Sequence, residues 1–234
     1  MSKMRYQTLI VVQCRSGSTR LRGKALYPLC GIPVLTFLLK RLKNSLHDNN
    51  SIIVLGTTTS KDDDILEAWA LAEGIQTVRG DEDDVLSRYI KCLDCFPSET
   101  IVRVTADNPL TCPEILKWLV QKQQEKKVQY VQCENLPYGA GIDVFSYDVL
   151  KILDREAVRS DEREHINLYI LKNQETFKTL FLKIEGPLAR PDLCMTIDTS
   201  EEWKNVKSIF NPKDNEPWGL ALSEIIKRMD NKSI

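Results

Sequence analysis

The chain has 234 residues, with 32 lysines and arginines against 33 aspartates and glutamates, and a formal net charge of −1. Hydrophobic residues make up 42% and charged residues 28% of the sequence, which is typical of a globular protein and excludes a disordered or collagen-like chain. The near-zero charge argues against a broad nucleic-acid-binding surface. No apolar run approaches the roughly 18–20 residues that a membrane span needs, so no membrane partner is expected.

Seven cysteines are scattered along the chain, and their odd number does not suggest a disulfide framework. Cys92 and Cys95 form a CxxC pair, but the surrounding segment has the pattern of an amphipathic helix. No second cysteine pair or nearby histidine completes a zinc site. We therefore expect buried structural thiols in a protein of the reducing cytoplasm. His47, in a polar loop, is expected to be solvated.

The first 133 residues alternate strand patterns with helix patterns. Residues 8–13 form an apolar run rich in β-branched side chains, which is typical of a buried parallel strand. The predicted strands are 8–13, 51–57, 75–78, 100–105 and 128–133, and the predicted helices are 34–43, 62–73, 83–96 and one that begins at Pro113. This alternation predicts an α/β fold, a three-layer α/β/α sandwich with a parallel or mostly parallel sheet.

From residue 134 onward the alternation ends. The pattern predicts a loop or short strand over 135–146, helices over 147–156, 161–172 and 201–210, strands over 179–184 and 194–197, and a last helix that ends near Asp230. There is no internal repeat. We expect one domain over residues 1–234, in which the second half decorates the first.

The loop after the first strand, QCRSGSTRLRGK at 13–24, is the most informative stretch of the sequence. It carries four basic residues, two glycines and three hydroxyl groups at the carboxyl end of a buried strand, where open α/β sheets bind ligands. Glycines let the backbone approach a ligand, amides and hydroxyls donate to oxyanions, and basic side chains neutralise charge. The predicted ligand is a polyphosphate; the alternative is a solvated basic loop.

Two common phosphate loops are excluded. Five residues separate Gly17 from Gly23, whereas a Walker A loop requires four, and Ala25 stands where a serine or threonine would hold Mg²⁺. The sequence contains no G-x-G-x-x-G, so a Rossmann dinucleotide site has no support.

Two aspartates follow predicted strands at the same edge of the sheet. Asp107 comes after the strand TIVRVT, and Asp198 comes after the apolar pair Thr196–Ile197. Each could hold a metal ion, and each could instead cap a helix, although Thr199 or Ser200 could equally cap the helix after Asp198. The denser acidic runs 62–64 and 81–84 begin predicted helices and are expected to be solvated helix starts.

Five motifs, in order along nearly the whole chain, resemble those of cytidylyltransferases that make CMP-activated sugars, in the branch named for spore-coat polysaccharide biosynthesis protein F. They are QCRSGSTRLRGKAL, RGDEDDVLSRY, VRVTADNPL, EREHINLYI and MTIDTSEEW. The chain departs from the family pattern at Cys14, where alanine is usual, at Arg22, where proline is usual, and at a shorter GIDVFS segment.

The resemblance implies a nucleotide-diphospho-sugar transferase-like fold with a small insertion in the second half. It implies a reaction of CTP with a sugar hydroxyl, in an acidic 2-keto sugar, which yields a CMP-sugar and pyrophosphate for surface polysaccharide biosynthesis. Residues 1–133 would form the nucleotide-binding half, and residues 134–234 the half for acceptor binding, dimerisation and metal binding. A homodimer through residues near 134–188 is expected on the same ground.

The resemblance also assigns roles to individual residues. Nucleotide binding falls to Gln13, Arg15, Gly17, Ser18, Arg20 and Lys24; catalysis to Arg15, Lys24 and Asp107; and Mg²⁺ to Asp107 and Asp198. The candidates for acceptor binding are Tyr138, Asp143, Arg163 and His165, and His165, a lone histidine on a predicted helix, could instead be structural. Selection of the base would come from the first loop and residues 79–84. Nucleotidyl transfer needs a divalent cation because the triphosphate is highly charged, and oxygen ligands suit Mg²⁺.

Two other functions stay open. One is a glycosyltransferase of the same general fold, although that class usually carries a D-x-D metal motif and Asp107 is followed by Asn108 and Pro109. The other is a non-catalytic subunit of a polysaccharide-assembly complex, against which the retained aspartates and loop cations argue.

Overall fold

The computed structural model describes residues 6–18, 20–44 and 50–231, so Thr19 and His47 lie outside the described residues. The strands are β1 (Tyr6–Gln13), β2 (Pro28–Leu29), β3 (Ile32–Pro33), β4 (Ser51–Thr58), β5 (Gln76–Gly80), β6 (Ser98–Thr105), β7 (Tyr130–Glu134), β8 (Asp143–Ser146) and β9 (Thr179–Lys183). The α-helices are α1 (Val34–Lys43), α2 (Asp64–Ala72), α3 (Val85–Cys95), α4 (Pro113–Lys126), α5 (Tyr147–Glu156), α6 (Ser160–Glu164), α7 (Leu168–Lys172), α8 (Ser200–Ser208) and α9 (Leu222–Asp230).

Seven of these strands form one sheet in the order β5-β4-β1-β6-β8-β7-β9. β1 lies between β4 and β6 and is parallel to both, and β5 is parallel to β4. β8 is antiparallel to both of its neighbours, and β9 is parallel to β7. The carboxyl ends of β1, β4 and β6 therefore meet at one edge, which is where an open α/β sheet binds its ligand.

Successive residues of β1 face opposite sides of the sheet, as the two-residue period of a strand requires. Ile10 and Val12 are fully buried against a cluster that includes residues of α1, α2, α4, α8 and α9. Leu9 and Val11 are fully buried against residues of α3, α5 and α7. Both faces of the sheet are thus covered by helices, which confirms the expected three-layer α/β/α arrangement.

Most predicted elements are present with small shifts of their ends, and two predictions are wrong. The helix predicted over 161–172 is broken into α6 and α7. The break occurs at a turn in which His165 accepts a hydrogen bond from the amide of Leu168, and Ile166 is buried in the core. The strand predicted over 194–197 forms only an isolated bridge between Cys194 and Tyr138, because this segment bonds to loops instead of a strand.

The expectation of buried thiols is confirmed in part. Cys92 is fully buried on α3, and burial raises the pKa of its thiol to about 12. Cys95, at the end of the same helix, is exposed, as are Cys30 and Cys194. None of the helices in the described ranges is long and apolar enough to cross a membrane.

Candidate active site

The loop after β1 folds back on itself and places Lys24 at the sheet edge. The carbonyl of Ser16 accepts hydrogen bonds from the amides of Ser18 at 2.9 Å and Gly23 at 3.1 Å. Gly23 has a φ of +68°, a left-handed conformation that glycine adopts without a steric penalty. A short 3₁₀ turn, Lys24–Leu26, follows it directly. The glycine therefore sets the direction in which the chain presents Lys24.

Asp63 anchors this loop to β4. Its carboxylate is almost fully buried and accepts hydrogen bonds from the amide and the hydroxyl of Ser16, at 2.8 and 2.6 Å. It also accepts bonds from the hydroxyls of Thr57 and Thr58, at 3.0 and 2.6 Å. Burial alone would raise the pKa of Asp63, but the donors around it hold the pKa below its ordinary value. The expectation that the whole run 62–64 is a solvated helix start is therefore wrong at Asp63.

Lys24, Asp107 and Asp198 form the polar centre of the site. The ammonium nitrogen of Lys24 lies 2.7 Å from Oδ2 of Asp107 and 2.6 Å from Oδ1 of Asp198. Burial would lower the pKa of Lys24, but the two carboxylates keep it above its ordinary value, so the ammonium stays charged. Arg20 reaches Oδ2 of Asp198 at 3.0 Å. Two aspartates that are 91 positions apart in the sequence thus converge on one cation.

Neither aspartate is a helix cap. Thr199 caps α8 and forms a capping box with Glu202, in which each side chain bonds to the other residue's amide. α4 begins at Pro113 and its N-cap is Cys112, five residues beyond Asp107. The carbonyl of Asp107 accepts a hydrogen bond from the amide of Ile197 at 2.8 Å, and this bond holds the two aspartate-bearing segments side by side.

The backbone of Gly139 packs closely against the segments that carry the two aspartates. Its φ is +90°, and a Cβ at this position would lie 2.7 Å from the amide nitrogen of Thr196 and 3.0 Å from Oδ1 of Asn108. A side chain here would therefore push apart the segments that carry Asp198 and Asp107.

A cavity of about 500 Å³ opens over this edge of the sheet. Its wall includes nine of the residues predicted from the sequence: Gln13, Arg15, Ser18, Arg20, Lys24, Asp107, Tyr138, His165 and Asp198. The charged residues that line it are Arg15, Arg20, Lys24, Arg88 and Arg103 against Asp107, Glu164 and Asp198. Among the described residues the wall thus carries more basic than acidic side chains, which suits an anionic ligand.

The acidic run 81–84 lies against the first loop. The guanidinium of Arg15 donates to the carbonyl of Glu82 at 3.3 Å and lies 3.8 Å from its carboxylate. Arg88, which is 2% exposed, donates to the carbonyls of Asp81 and Glu82 at 2.6 and 3.0 Å. Gly17 faces Glu82 and does not line the cavity, so its predicted amide contact with the nucleotide stays a prediction.

Arg163 lies outside the cavity wall. Its guanidinium donates to the carboxylate of Asp84 at 2.6 Å and to the carbonyl of Ala157 at 3.0 Å. These bonds tie α6 to the start of α3, where Asp84 is the helix cap. In this arrangement Arg163 holds the two helices together, and its predicted contact with the acceptor stays a prediction.

Asp143 is also absent from the cavity wall. Its carboxylate is buried and accepts hydrogen bonds from Nη1 of Arg103 at 2.7 Å, from the hydroxyl of Tyr130, and from the amide of Asn167 at 3.3 Å. Arg103 does line the cavity. The predicted contact of Asp143 with the acceptor stays a prediction.

Arg88 and Arg103 were missed by the sequence reasoning. Arg103 lies on β6 between the buried residues Val102 and Val104, and a charged residue at such a place in a strand is the signal that could have found it. Arg88 lies on α3, whose charged positions read as a solvated face. Only the packing of α3 on the sheet shows that its side chain is buried.

Comparison with known proteins agrees with this architecture. Residues 9–220 match the model of a family described as cytidylyltransferase. The spore coat polysaccharide biosynthesis protein SpsF of Bacillus subtilis is 31% identical over 221 residues, which is 93% of this chain and 92% of that protein. A cytidylyltransferase structure from Leptospira borgpetersenii superposes with a TM-score of 0.86 at 28% identity and covers 99% of this chain and 96% of that one.

A more distant structure shares the fold. The CMP:2-keto-3-deoxy-manno-octonic acid synthetase complexed with CTP superposes with a TM-score of 0.66 at 16% identity, over 87% of this chain and 98% of that one. At this level of identity the similarity concerns the fold alone.

Proposed function

The chain belongs to the cytidylyltransferase family, and from that premise we propose that it transfers CMP from CTP to a sugar hydroxyl, in an acidic 2-keto sugar, with release of pyrophosphate. The observation that carries the proposal is the Lys24 ammonium held between Asp107 and Asp198 at the edge of a cavity rich in basic side chains. The name of the Bacillus relative supports a role in surface polysaccharide biosynthesis. A cytoplasmic location stays a prediction.

Arg15, Arg20 and Lys24 are the residues that would bind the triphosphate. All three line the cavity, and all three belong to the loop that Asp63 fixes to β4. An anchored loop holds its basic side chains close to the ligand before the ligand arrives, and such preorganised positive charge is a main source of catalysis in nucleotidyl transfer. When the triphosphate binds, Lys24 would break its bond to at least one of the two aspartates and bond to phosphate.

The residues at the centre of the site fit Mg²⁺. Asp107 and Asp198 each place a carboxylate oxygen within 2.7 Å of the same point, which the charged nitrogen of Lys24 occupies. Mg²⁺ prefers such oxygen ligands and commonly takes one or two carboxylates together with substrate phosphates. A bound Mg²⁺ would screen the triphosphate and stabilise the departing pyrophosphate. Across the described residues no cluster of three or more potential metal ligands exists, so phosphate and water oxygens would complete the coordination.

The alternatives receive less support. Membership of the cytidylyltransferase family favours transfer of a nucleotide over a glycosyltransferase reaction. The convergence of Lys24, Asp107 and Asp198 favours an enzyme over a non-catalytic subunit. Their side chains are only 13–28% exposed, and removing charged groups from water costs free energy that a catalytic role would justify.

The test is pyrophosphate release with CTP, ATP, GTP and UTP against a panel of 2-keto acid sugars and neutral sugars, with Mg²⁺ present. CTP should support turnover with an acidic sugar and should raise the melting temperature more than the other nucleotides, since selective binding to the native state stabilises it by mass action. Equal stabilisation by all four nucleotides and no CTP-dependent pyrophosphate would overturn the proposal. Omission of Mg²⁺, with EDTA added, is the control for the metal.

A further inference from the structure

One basic side chain in the cavity is held apart from the cluster that would bind phosphate. Arg103 is on β6, four residues before Asp107, and its side chain is 19% exposed. It lines the same cavity as Lys24, but its ion pair is with Asp143 on β8. β1 separates β4, which anchors the first loop, from β6. Arg103 therefore faces the cavity on the side away from that anchor.

The guanidinium of Arg103 keeps unused donors. Across the parts of the chain that the structure describes, Nη1 bonds to Asp143, whereas Nε is buried and has no hydrogen-bond partner. A guanidinium has five N–H donors in a planar fork, and a buried donor without a partner costs free energy. Nε is too buried for a ligand in the cavity to reach, so the donor open to a ligand is Nη2, which has no hydrogen-bond partner among the described residues.

Asp143 fixes where the guanidinium lies. One carboxylate oxygen accepts from Arg103, and the other accepts from Tyr130 and Asn167. Asn167 follows His165 by two positions in the turn between α6 and α7, and His165 lines the cavity. The same buried carboxylate thus holds Arg103 and the turn that carries His165, so both sides of this part of the cavity are fixed relative to each other.

We propose that Arg103 is a specificity-determining residue that binds a carboxylate of the acceptor, and that Asp143 is its positioning residue. The inference rests on the proposed function and goes beyond it by assigning the recognition of the acceptor's charge to a residue outside the nucleotide loop. A planar guanidinium matches a carboxylate through paired hydrogen bonds, which a lysine cannot reproduce. The nucleotide loop supplies its own cations, so Arg103 is free to bind the acceptor.

The test compares acids with their methyl esters. KM for the acceptor is measured by pyrophosphate release with a panel of 2-keto acid sugars, 3-deoxy-manno-octulosonate among them, each as the free acid and as its methyl ester. The proteins are the wild type, Arg103→Met, Asp143→Asn and, as a matched control, Arg155→Met, whose side chain is exposed on α5. Urea unfolding shows that each variant is folded, and the CTP-induced rise in Tm shows that each binds nucleotide.

The wild type should prefer an acid over its ester by at least tenfold in KM. Arg103→Met should lose that preference and raise KM for the acid about tenfold or more, with the CTP-induced shift unchanged, because only the acceptor contact is removed. Asp143→Asn should weaken the preference in the same direction, and Arg155→Met should keep it. The inference is overturned if Arg103→Met still prefers the acid over its methyl ester. It is also overturned if the wild type shows no difference between acids and esters, or if it uses neither. If CTP-dependent turnover proceeds with neutral sugars, CMP transfer stands, whereas the acidic acceptor and the inference about Arg103 both fall.

Discussion

Lys24 is bonded to both aspartates of the site, and its removal separates a catalytic role from a structural one. In Lys24→Ala the triphosphate would lose a cation that is present in the transition state, so kcat/KM should fall about 10²-fold or more, equivalent to about 2.7 kcal/mol. The free energy of unfolding should change by less, since the lysine lies at the cavity wall and not in the core. Pyrophosphate release and urea unfolding measure the two effects.

Arg22→Ala is the matched control for Lys24→Ala, because Arg22 is an exposed basic residue of the same loop and does not line the cavity. Its kcat/KM should stay near that of the wild type. Near-normal kinetics in Lys24→Ala would instead mean that the loop is a solvated surface, which was the alternative open from the sequence.

The two aspartates should act as a unit. Asp107→Asn and Asp198→Asn keep the shape of the side chain and remove one negative charge, so Mg²⁺-dependent turnover should collapse in each while the protein stays folded. The double variant should be little worse than either single one, since residues that share one function are not additive. Turnover is measured over a Mg²⁺ titration, and Mn²⁺ binding in the presence of CTP gives a second readout.

Thr199→Ala separates metal binding from helix capping next to Asp198. Loss of this cap should lower the free energy of unfolding by about 1 kcal/mol and leave turnover intact. If Asp198→Asn behaved like Thr199→Ala, Asp198 would have no role in catalysis, and the metal site would have to be rebuilt around Asp107 with another carboxylate.

At the scale of elements, the attachment of the first loop to β4 depends on Asp63. Asp63→Asn should remove one acceptor from a set of buried donors on Ser16, Thr57 and Thr58, at a cost of about 1–3 kcal/mol in the free energy of unfolding. Because the loop then loses its anchor, the CTP-induced rise in Tm should also shrink. The matched control is Asp62→Asn, whose side chain is exposed.

Asp63 should also make the free energy of unfolding depend on pH. The pKa of Asp63 is lowered in the folded state, so its ionised form stabilises the protein above the ordinary carboxyl pKa of 3.8, and this stability is lost as the pH falls below it. Urea unfolding at a series of pH values from 7 to 3 should show a steeper loss below pH 4 in the wild type than in Asp63→Asn. Equal slopes would show that Asp63 is not ionised against its donors.

Local sequence patterns were sufficient to predict most of the helices and strands. α1 over Val34–Lys43 and α5 over Tyr147–Glu156 have the predicted ends. The apolar spacing of α5 identifies its buried face, whereas α1 is buried on nearly all sides. The break between α6 and α7 could not be predicted this way. It places Asn167 against Asp143, and that contact joins residues 24 positions apart.

The residues of the site likewise differ in whether local sequence could predict them. The cations of the first loop lie in one short stretch of the sequence, and the position of this stretch after a buried strand predicts a phosphate site directly. Arg103 reaches the cavity through the pairing of β6 with β8, where it lies opposite Asp143. Such cross-strand register depends on the assembled sheet, so sequence reasoning selected Asp143 and missed the arginine that it holds.

At the scale of the whole molecule, the expected homodimer would use the segment near residues 134–188. β9 lies in this segment and forms one end of the sheet, where a strand leaves backbone groups available for pairing. Val158, in the same segment, is 80% exposed, the highest value among the large hydrophobic side chains that are exposed in the described residues. Val158 is therefore an accessible position at which the expected interface can be tested.

Light scattering at micromolar concentration should give twice the chain mass for the wild type. Val158→Glu should shift the protein toward the monomer, because a buried charge without a partner is costly at an interface. Leu71→Glu is the matched control, since Leu71 is 72% exposed on α2, outside the segment, and its substitution should leave the mass unchanged. A monomeric wild type would exclude the dimer. If the dimer dissociates in Leu71→Glu and not in Val158→Glu, the interface lies instead at the other end of the strand order, where α2 packs beside β4 and β5.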